Sequence, residues 1–396
     1  MERLIYLDNG ATTFPKPEEV YRAIDFTYRN YGVNPGRSGY DLCIAAGEVV
    51  ENTRKLLTRF FNGTDPNRLT FAYNATDALN LAIWGTLQPG DHAITTALEH
   101  NSVLRPLYHL WRDHGVEVDH LPFDAKGFVS PDEFKRHFKK NTKLVTVNHG
   151  SNVIGTVQDI AAIGKLCRER DVTILVDVSQ TAGKIPIDMQ AMNLDIVAFT
   201  GHKSLMGPMG IGGLYVGEGA EVRHTRAGGT GVRSALRPHL DEYPYRLEYG
   251  TPNLLGIAGL QAGVKWLEEQ GLANIERTEA KMLKRLRDGI REIEGVILYC
   301  QDDLTDHIGV LSFNIEGTEA AEVGTMLDVD YSIACRTGLH CAPMVHEQLG
   351  TDKIHGSVRL GIGPFTSESD IDAAIAAVSE IAQVRRPVTA DGRRHS

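Results

Sequence analysis

The end of one short apolar segment carries a lysine that could do covalent chemistry. The segment Asp195–Phe199 is followed by Thr-Gly-His-Lys, which ends at Lys203, and then by a glycine-rich turn. A lysine that is partly removed from water has a lowered amine pKa, and its free amine can form an imine with an aldehyde. Most lysines are solvated surface charges, so the position of Lys203 alone predicts little. Whether Lys203 belongs to a functional site therefore depends on the residues that follow the neighbouring apolar segments.

A second apolar segment ends in a carboxylate. Thr173–Val176 leads directly to Asp177, and Gln180 follows in the next turn. An unpaired carboxylate is costly in such a buried place, so Asp177 is expected to have a partner. A protonated pyridine nitrogen would pair with it, and the ion pair would keep that nitrogen protonated as an electron sink.

Three further segment ends carry polar residues that fit the same kind of ligand. Ala75 and Thr76 open a helical stretch, where N–H groups and a hydroxyl suit a phosphate, although such residues also cap ordinary helices. His100 either stacks on an aromatic ring or is a capped surface residue. Asn152 either donates to a phenolate oxygen or shapes a turn. Together, the segment ends predict a phosphate grip, a ring stack and an imine-forming lysine.

A glycine-containing turn near the C-terminus holds a cysteine beside polar residues. Cys341 directly follows His340, and Arg336 lies shortly before it. A thiol in a polar loop near such residues can have its thiolate favoured. Free cysteines are more often small buried hydrophobes. That interpretation suits the other four, which are Cys43, Cys167, Cys300 and Cys335.

The elements that must position these residues alternate between helical and strand-like patterns from about Glu18 to about Val216. Amphipathic helices are predicted at Glu48–Phe61 and Asp77–Leu87. Short runs rich in Val, Ile and Thr predict buried strands at Leu69–Tyr73, His92–Thr96, Leu144–Asn148, Thr173–Val178 and Ile196–Thr200. The strand, helix, strand order predicts a mainly parallel α/β sheet with helices on both faces. Ligands of such sheets bind at the carboxyl ends of the strands.

A second, smaller α+β domain is predicted after two long helical patterns, Ile257–Gln270 and Ile275–Glu294. Its predicted elements are the strands Ile308–Asn314, Ser332–Arg336 and Ser357–Gly361 and the helices Ala320–Leu327 and Glu368–Val384. The predicted division is an N-terminal arm at 1–17 that associates with the small domain, a large cofactor-binding domain at 18–256 and a small domain at 257–385. The polar, basic tail at 386–396 is predicted to be disordered.

The composition argues against several other classes of protein. With 41 Lys and Arg against 51 Asp and Glu, the formal charge is -10, which disfavours a nucleic-acid-binding surface. No apolar run approaches the length that spans a membrane, and the N-terminus lacks the apolar stretch of a signal peptide. Scattered cysteines are not a disulfide framework and suit a reducing cytoplasm, and no metal site is predicted.

An ordered set of short motifs runs through nearly the whole chain. From Tyr6 it reads Tyr-Leu-Asp-Asn-Gly-Ala-Thr-Thr, and later Asn-Ala-Thr-Asp, Glu-His-Asn, Ser-Asn-Val-Ile-Gly, Val-Asp-Val-Ser-Gln, Thr-Gly-His-Lys and Gly-Thr-Pro-Asn. This set resembles that of the cysteine desulfurases, which are class V, aminotransferase-fold enzymes that use pyridoxal phosphate. The resemblance implies a fold type I transferase, with a mainly parallel seven-stranded sheet in the large domain and a smaller α+β C-terminal domain. Two departures are mild: Asp77 stands where many relatives have Glu, and Thr200 where many have Ser.

The resemblance also implies roles around the cofactor ring. Lys203 would hold the cofactor as a Schiff base, and Asp177 would pair with the pyridine nitrogen. Gln180 and Asn152 would contact the ring hydroxyl, and His100 would stack on the ring. His100 is also the best candidate for protonating the substrate carbon or handling the substrate thiol.

At the cofactor phosphate the resemblance implies a second group of residues. The phosphate would be held by Ala75, Thr76, Thr200 and His202. Thr251 would reach the phosphate of the neighbouring subunit, which implies a homodimer in which each site is completed by its partner.

The motif Arg-Thr-Gly-x-His-Cys, which ends at Cys341, resembles the active-site loop of the SufS-type (group II) desulfurases. On that match Cys341 is the nucleophile that attacks the substrate sulfur and becomes a persulfide. Arg359 matches the arginine that holds the substrate carboxylate, which its planar fork suits, with an ordinary ion pair as the alternative. Asn152 is a further implied substrate contact.

The reaction implied by the resemblance converts L-cysteine to L-alanine and passes sulfur to an acceptor protein, for example in iron–sulfur cluster assembly. The short loop after Cys341 suggests delivery to a docked acceptor. Alternatives with the same cofactor are a selenocysteine lyase, a C–S lyase acting on a cysteine derivative, and an aminotransferase. A catalytically weak sulfur-relay or scaffold protein is the alternative from a different class.

Overall fold

Seven strands form the central sheet of the computed structural model, which describes residues 3–36, 38–300 and 302–384. Numbered along the chain and taken in sheet order, they are β2 (Leu69–Ala72), β8 (Gly212–Val216), β7 (Ile196–Thr200), β6 (Thr173–Asp177), β5 (Thr142–Asn148), β3 (His92–Thr96) and β4 (Glu117–Leu121). The strands from β7 to β4 are parallel, and β8 runs antiparallel between β7 and β2. The predicted mainly parallel seven-stranded sheet is confirmed.

Helices pack on both faces of this sheet. They are α1 (Glu18–Tyr31), α2 (Asp41–Phe60), α3 (Ala75–Thr86), α4 (Asn101–His114), α5 (Pro131–His137), α6 (Ile160–Arg170) and α7 (Leu254–Gln270). Successive strand residues point to opposite faces: Ile174 and Val176 join the core with α6 and α7, whereas Leu175 joins the core with α3 and α4. Within the described ranges, no helix is long and apolar enough to cross a membrane.

The C-terminal part contains a second, antiparallel sheet. Its strands in order are β12 (Arg336–Gly338), β13 (Ser357–Gly361), β10 (Val310–Ile315) and β9 (Val296–Leu298), and the helices are α8 (Leu272–Arg291), α9 (Ala320–Tyr331), α10 (Pro343–Leu349) and α11 (Glu368–Val384). In the N-terminal arm, β1 (Ile5–Tyr6) pairs in parallel with β11 (Ile333–Ala334). The mixed α/β fold class is as predicted. The limits 1–17, 18–256 and 257–385 stay a prediction, and the predicted tail 386–396 lies outside the described residues.

Some local predictions were wrong for physical reasons. The single strand predicted at Ser332–Arg336 is two short strands, β11 and β12, which belong to different sheets. No helix connects β6 to β7, because the chain between them forms a series of turns. β4 was not predicted, since three of its five residues are Glu, Asp and His and only Leu121 is buried at this sheet edge. β8 was also not predicted, and its two leading glycines hide the strand pattern.

A buried ion pair joins the two sheet regions. Lys184, in the turns after β6, lies with its Nζ 2.6 Å from Oε2 of Glu279 in α8, and the two side chains are only 9% and 5% exposed. The same Nζ donates to the carbonyl of Ile362, just after β13, at 3.3 Å. Burial raises the pKa of Glu279, while the Lys184 ammonium lowers it. The Lys184 ammonium therefore stabilises the ionised form of Glu279 inside the protein.

Replacing Lys184 with methionine is expected to lower the free energy of unfolding by about 3 kcal/mol, because the Glu279 carboxyl loses its cation inside the protein. Urea unfolding of the variant against the parent protein measures this loss. The double variant Lys184→Met/Glu279→Leu removes both charges and should regain most of it. A double variant no more stable than Lys184→Met would contradict the ion-pair explanation.

Candidate active site

Lys203 lies in the turn after β7, at the carboxyl edge of the central sheet. The residue keeps intermediate solvent exposure, but its amine is surrounded by protein groups. Burial lowers the pKa of Lys203 to about 8; Asp177 opposes this change, whereas the guanidinium groups of Arg359 and Arg336 add to it. An appreciable fraction of the amine is therefore unprotonated near neutral pH. That form can condense with an aldehyde.

Asp177 is the last residue of β6, and its side chain is buried. One carboxylate oxygen, Oδ1, accepts from the backbone N–H of Ser179 at 2.9 Å and from the Ser179 hydroxyl at 2.5 Å. For Oδ2 there is no hydrogen bond from any residue that the structure describes. The hydrogen bonds from Ser179 thus fix the carboxylate through Oδ1, and Oδ2 can accept from a ligand. A pyridinium N–H would fit this arrangement.

The start of α3 forms the first half of a candidate phosphate site. Asn74 caps the helix by accepting from the N–H of Asp77 at 3.0 Å. The first N–H groups of a helix, here those of Ala75 and Thr76, have no partner within the helix and suit an anion. The Thr76 hydroxyl lies 2.7 Å from that of Ser102 in the first turn of α4.

The end of β7 supplies the second half. The hydroxyl of Thr200 and Nδ1 of His202 are both buried, and neither has a hydrogen-bond partner among the described residues. Gly212 pairs with Thr200, and a Cβ at Gly212 would lie 2.9 Å from Cα of Asn74. Glycine therefore lets the start of α3 approach the end of β7. Buried polar atoms without partners, next to a helix N-terminus, fit a phosphate group.

Thr251 is exposed and borders a cavity of about 1620 Å³. The same cavity borders Asn74 and Thr76, so it opens at the phosphate end of the site, whereas Lys203 and Cys341 do not line it. Thr251 therefore lies within one chain on the side where a phosphate is expected. Its predicted reach into a neighbouring subunit stays a prediction.

His100 is the N-cap residue of α4. Its Nδ1 accepts from the backbone N–H of Ser102 at 3.1 Å, which assigns the ring proton to Nε2. Burial and the nearby Lys203 ammonium lower the pKa of His100 to about 4. The imidazole is thus neutral at physiological pH, and the hydrogen bond to Nδ1 fixes its orientation. It can stack on an aromatic ring or exchange a proton through Nε2.

The two amide side chains predicted to contact the ring hydroxyl are both buried. Nδ2 of Asn152 donates to the carbonyl of His340 at 2.7 Å. Nε2 of Gln180 donates to the carbonyl of Gly10 at 2.9 Å. Both amides are therefore fixed beside the site by backbone oxygens. Each amide nitrogen keeps a second N–H for a further contact, and contact with a ring hydroxyl remains a prediction.

Cys341 sits in a strained loop between β12 and α10. His340 and Cys341 both have positive φ, at 50° and 60°, which residues with side chains rarely adopt. The backbone N–H of Asn101 donates to the carbonyl of Cys341 at 2.7 Å and fixes the loop against α4. Nη2 of Arg336 donates to Sγ of Cys341 at 3.5 Å. A guanidinium thus faces the sulfur and can pair with negative charge on it.

The side chain of His340, which directly precedes Cys341, forms its hydrogen bonds with β13. Its Nε2 faces the carbonyl and hydroxyl of Ser357, at 3.1 and 3.2 Å. Burial, together with the Arg359 and Arg336 charges, lowers the pKa of His340 well below its usual value. The ring is therefore neutral and directed towards β13. Of the two residues expected near the thiol, Arg336 contacts the Cys341 sulfur, whereas His340 forms hydrogen bonds with Ser357.

Arg359 is buried at the centre of β13. Nη2 donates to Oδ1 of Asp8 at 2.8 Å and Nη1 to the carbonyl of Asn152 at 2.9 Å, while Nε has no partner in the described part of the chain. The ion pair that the sequence left as an alternative therefore exists, with Asp8. It does not exclude a carboxylate ligand, because a guanidinium has five N–H donors.

The N-terminal arm is the part of the site that sequence reasoning missed. Its Asp8 pairs with Arg359, and its Gly10 carbonyl accepts from Gln180. A Cβ on Gly10 would lie 3.1 Å from Cζ of Arg359, so glycine permits the close approach. The motif that begins at Tyr6 was the available signal, but it carried no assigned role.

The chain also matches known proteins over most of its length. A family profile described as aminotransferase class-V matches residues 5–374. A probable cysteine desulfurase from Pyrococcus abyssi is 33% identical over 393 residues, covering 97% of this chain and 96% of the relative. The cysteine desulfurase of Salmonella agona (strain SL483) is 30% identical and covers 96% of this chain and 93% of its own.

Solved structures agree with these matches. The apo cysteine desulfurase of Thermococcus onnurineus NA1 superposes with a TM-score of 0.89 at 33% identity, covering 96% of this chain and 95% of that one. The cysteine desulfurase CsdA of Escherichia coli gives a TM-score of 0.85 at 28% identity, with 96% and 95% coverage. The fold is that of a class V enzyme of the aminotransferase fold, a class that generally depends on pyridoxal phosphate. Within that class, the chain belongs to the cysteine desulfurase family.

Proposed function

We propose that this protein is a pyridoxal-phosphate-dependent cysteine desulfurase, which converts L-cysteine to L-alanine and holds the sulfur as a persulfide on Cys341. One observation carries the proposal. Arg336, which contacts the Cys341 sulfur, lies directly opposite Arg359 in the register of β12 and β13. The arginine that contacts the thiol and the candidate carboxylate anchor thus lie on adjacent strands, and both Cys341 and Arg359 affect the pKa of Lys203.

The residues present fit pyridoxal phosphate. Lys203 would hold its aldehyde carbon, the free oxygen of Asp177 its pyridine nitrogen, and the start of α3 with Thr200 and His202 its phosphate. When bound, this cofactor supplies an aldehyde for amines and an electron-accepting ring that weakens bonds at Cα. The neutral His100 can stack on the ring without placing a positive charge beside the protonated nitrogen.

Different side chains bind the substrate, transfer its protons and accept its sulfur. Arg359 binds the carboxylate of cysteine, and Lys203 removes the proton from Cα. The Cys341 thiolate attacks the substrate sulfur, so that a sulfur–sulfur bond forms and the carbon–sulfur bond breaks with its electron pair left on carbon. That carbon, Cβ, takes a proton from Nε2 of His100, the proton released by Cys341 returns to Nε2, and Lys203 gives its proton back to Cα. Alanine leaves, and Cys341 keeps one additional sulfur.

The alternatives with the same cofactor differ in what they need from Cys341. A C–S lyase or an aminotransferase needs no protein thiol, and a selenocysteine lyase depends on it less. The contact between Arg336 and the Cys341 sulfur favours the desulfurase among them.

Product analysis tests the proposal. The purified protein is incubated with L-cysteine, with and without added reductant, and alanine and sulfide are measured against release from an S-alkyl cysteine conjugate. We expect alanine and sulfide in equal amounts from cysteine when reductant is present. Without reductant, we expect much less sulfide, because sulfur stays on the protein. Faster release from the conjugate than from cysteine would favour a C–S lyase instead.

Replacing Arg359 with lysine is expected to raise the KM for cysteine by about tenfold, because an ammonium cannot reproduce the two-pronged contact of a guanidinium with a carboxylate. Steady-state kinetics measure the change. The control is Arg285→Lys, which alters an exposed arginine that contacts both oxygens of Asp372 on the surface. An unchanged KM in Arg359→Lys would leave Arg359 as a structural partner of Asp8 only.

Assembly and location complete the proposal. The enzyme acts as a homodimer in the cytoplasm, with Thr251 of each subunit reaching the phosphate bound by the other, and passes its sulfur to a docked acceptor protein. The exposed position of Thr251 beside the phosphate end supports the first part. Cys167, Cys300, Cys335 and Cys341 are thiols that form no disulfide, which supports a reducing location.

A further inference from the structure

Three donors from the N-terminal arm converge on one backbone oxygen, the carbonyl of His202. Nζ of Lys16 donates to it at 2.6 Å, the Thr12 hydroxyl at 3.0 Å and the backbone N–H of Thr13 at 3.2 Å. This carbonyl belongs to the peptide bond that joins His202 to Lys203. The arm therefore grips the backbone immediately before the lysine.

The partly buried position of Lys16 destabilises the charged form of its side chain. Burial lowers the pKa of Lys16 to about 7, and no carboxylate of the described residues forms an ion pair with it. Buried or half-buried charges are normally paired, so a lysine that meets only a carbonyl indicates a specific role for that carbonyl. A hydrogen bond from a charged donor is also stronger than one between neutral groups.

We propose that Lys16 is a positioning residue for Lys203: its ammonium fixes the His202–Lys203 peptide so that the Lys203 amine points at the cofactor aldehyde. This inference rests on the proposed function of Lys203. The same arm holds Arg359 through Asp8 and Gln180 through Gly10. Lys16 therefore also ties the cofactor lysine to the segment that holds the candidate substrate anchor.

The test compares Lys16→Met, which removes the donor, with Lys16→Arg, which keeps a charged donor. Lys265→Met, at an exposed position in α7, is the matched control. Cofactor-free protein is mixed with pyridoxal phosphate, and the rate at which the visible imine band appears is followed together with its visible circular dichroism. We expect Lys16→Met to form the band about tenfold more slowly and with weaker dichroism, and Lys16→Arg to recover most of both.

A wild-type rate and dichroism in Lys16→Met would overturn the inference, even if thermal stability fell, since that result describes a structural residue only. If Lys16→Met does not fold, Thr12→Val takes its place, with an expected slowing of about threefold and wild-type behaviour as the overturning result. Failure of the proposed function is separable. In that case the parent protein itself forms no imine band, or the band survives when Lys203 is replaced.

Discussion

Replacing Lys203 with alanine is expected to abolish the visible imine absorbance and to lower alanine formation from cysteine by about a thousandfold or more. The amine has two tasks in the proposed function, covalent attachment of the cofactor and proton removal at Cα. Its lowered pKa of about 8 suits both, because a free amine is available near neutral pH. No other described lysine lies at the end of a central strand next to Asp177.

Absorbance spectra of the holoenzyme and single-turnover measurements with cysteine check this expectation. The matched control is Lys265→Ala, on the exposed face of α7, which should leave both readouts unchanged. On the proposed function, we expect cofactor still to bind to Lys203→Ala without a covalent link, through the candidate phosphate site and Asp177. Survival of the imine band in that variant would show that another amine carries the cofactor.

The ends of β6 and β7 are the part of the site that sequence reasoning predicts best. All residues of β7 are buried, and all but the first residue of β6 are, so both stand out as short apolar runs. In a parallel sheet the polar residue after such a run reaches the carboxyl edge, where ligands bind. The positions of Asp177 and Lys203 at that edge follow from this geometry, whereas their predicted roles at a cofactor depend on the other strand ends and on the family resemblance.

Contacts between distant segments were not predictable in the same way. Asp8 and Arg359 are 351 positions apart, and Gly10 and Gln180 are 170 apart. Such polar pairs leave no periodic trace in the sequence, because each side chain is also compatible with an exposed surface position. The resemblance to a family included the arm, but a motif alone does not say which atoms its residues contact.

The loop around Cys341 shows a third situation, in which the sequence placed two polar residues near the thiol but did not show which of them contacts the sulfur. The sequence places both His340 and Arg336 close to Cys341 along the chain. The positive φ of each residue instead sends the imidazole to Ser357 and leaves the sulfur facing Arg336. Local backbone geometry of this kind is set by contacts with α4 and β13, which the sequence of the loop does not contain.

Replacing Cys341 with serine is expected to leave the imine absorbance intact and to lower alanine formation from cysteine by about a thousandfold. The hydroxyl is a far weaker nucleophile towards sulfur, and the Arg336 guanidinium would then face an uncharged oxygen. Persulfide on the protein, detected by intact mass as one added sulfur, should disappear with the activity. Turnover of selenocysteine should fall much less, because that substrate needs less help from the thiol.

Cys335→Ser provides the matched control for this variant. Cys335 lies in the same region, but burial raises the pKa of its thiol to about 12, and it is expected to stay protonated and inert. Its replacement should preserve both the persulfide and alanine formation. Full desulfuration of cysteine by Cys341→Ser would refute the nucleophile role. Loss of the persulfide in Cys335→Ser alone would transfer that role to the buried thiol. On the proposed function, Lys203→Ala therefore tests the cofactor site, and Cys341→Ser tests the reaction that the loop sulfur performs.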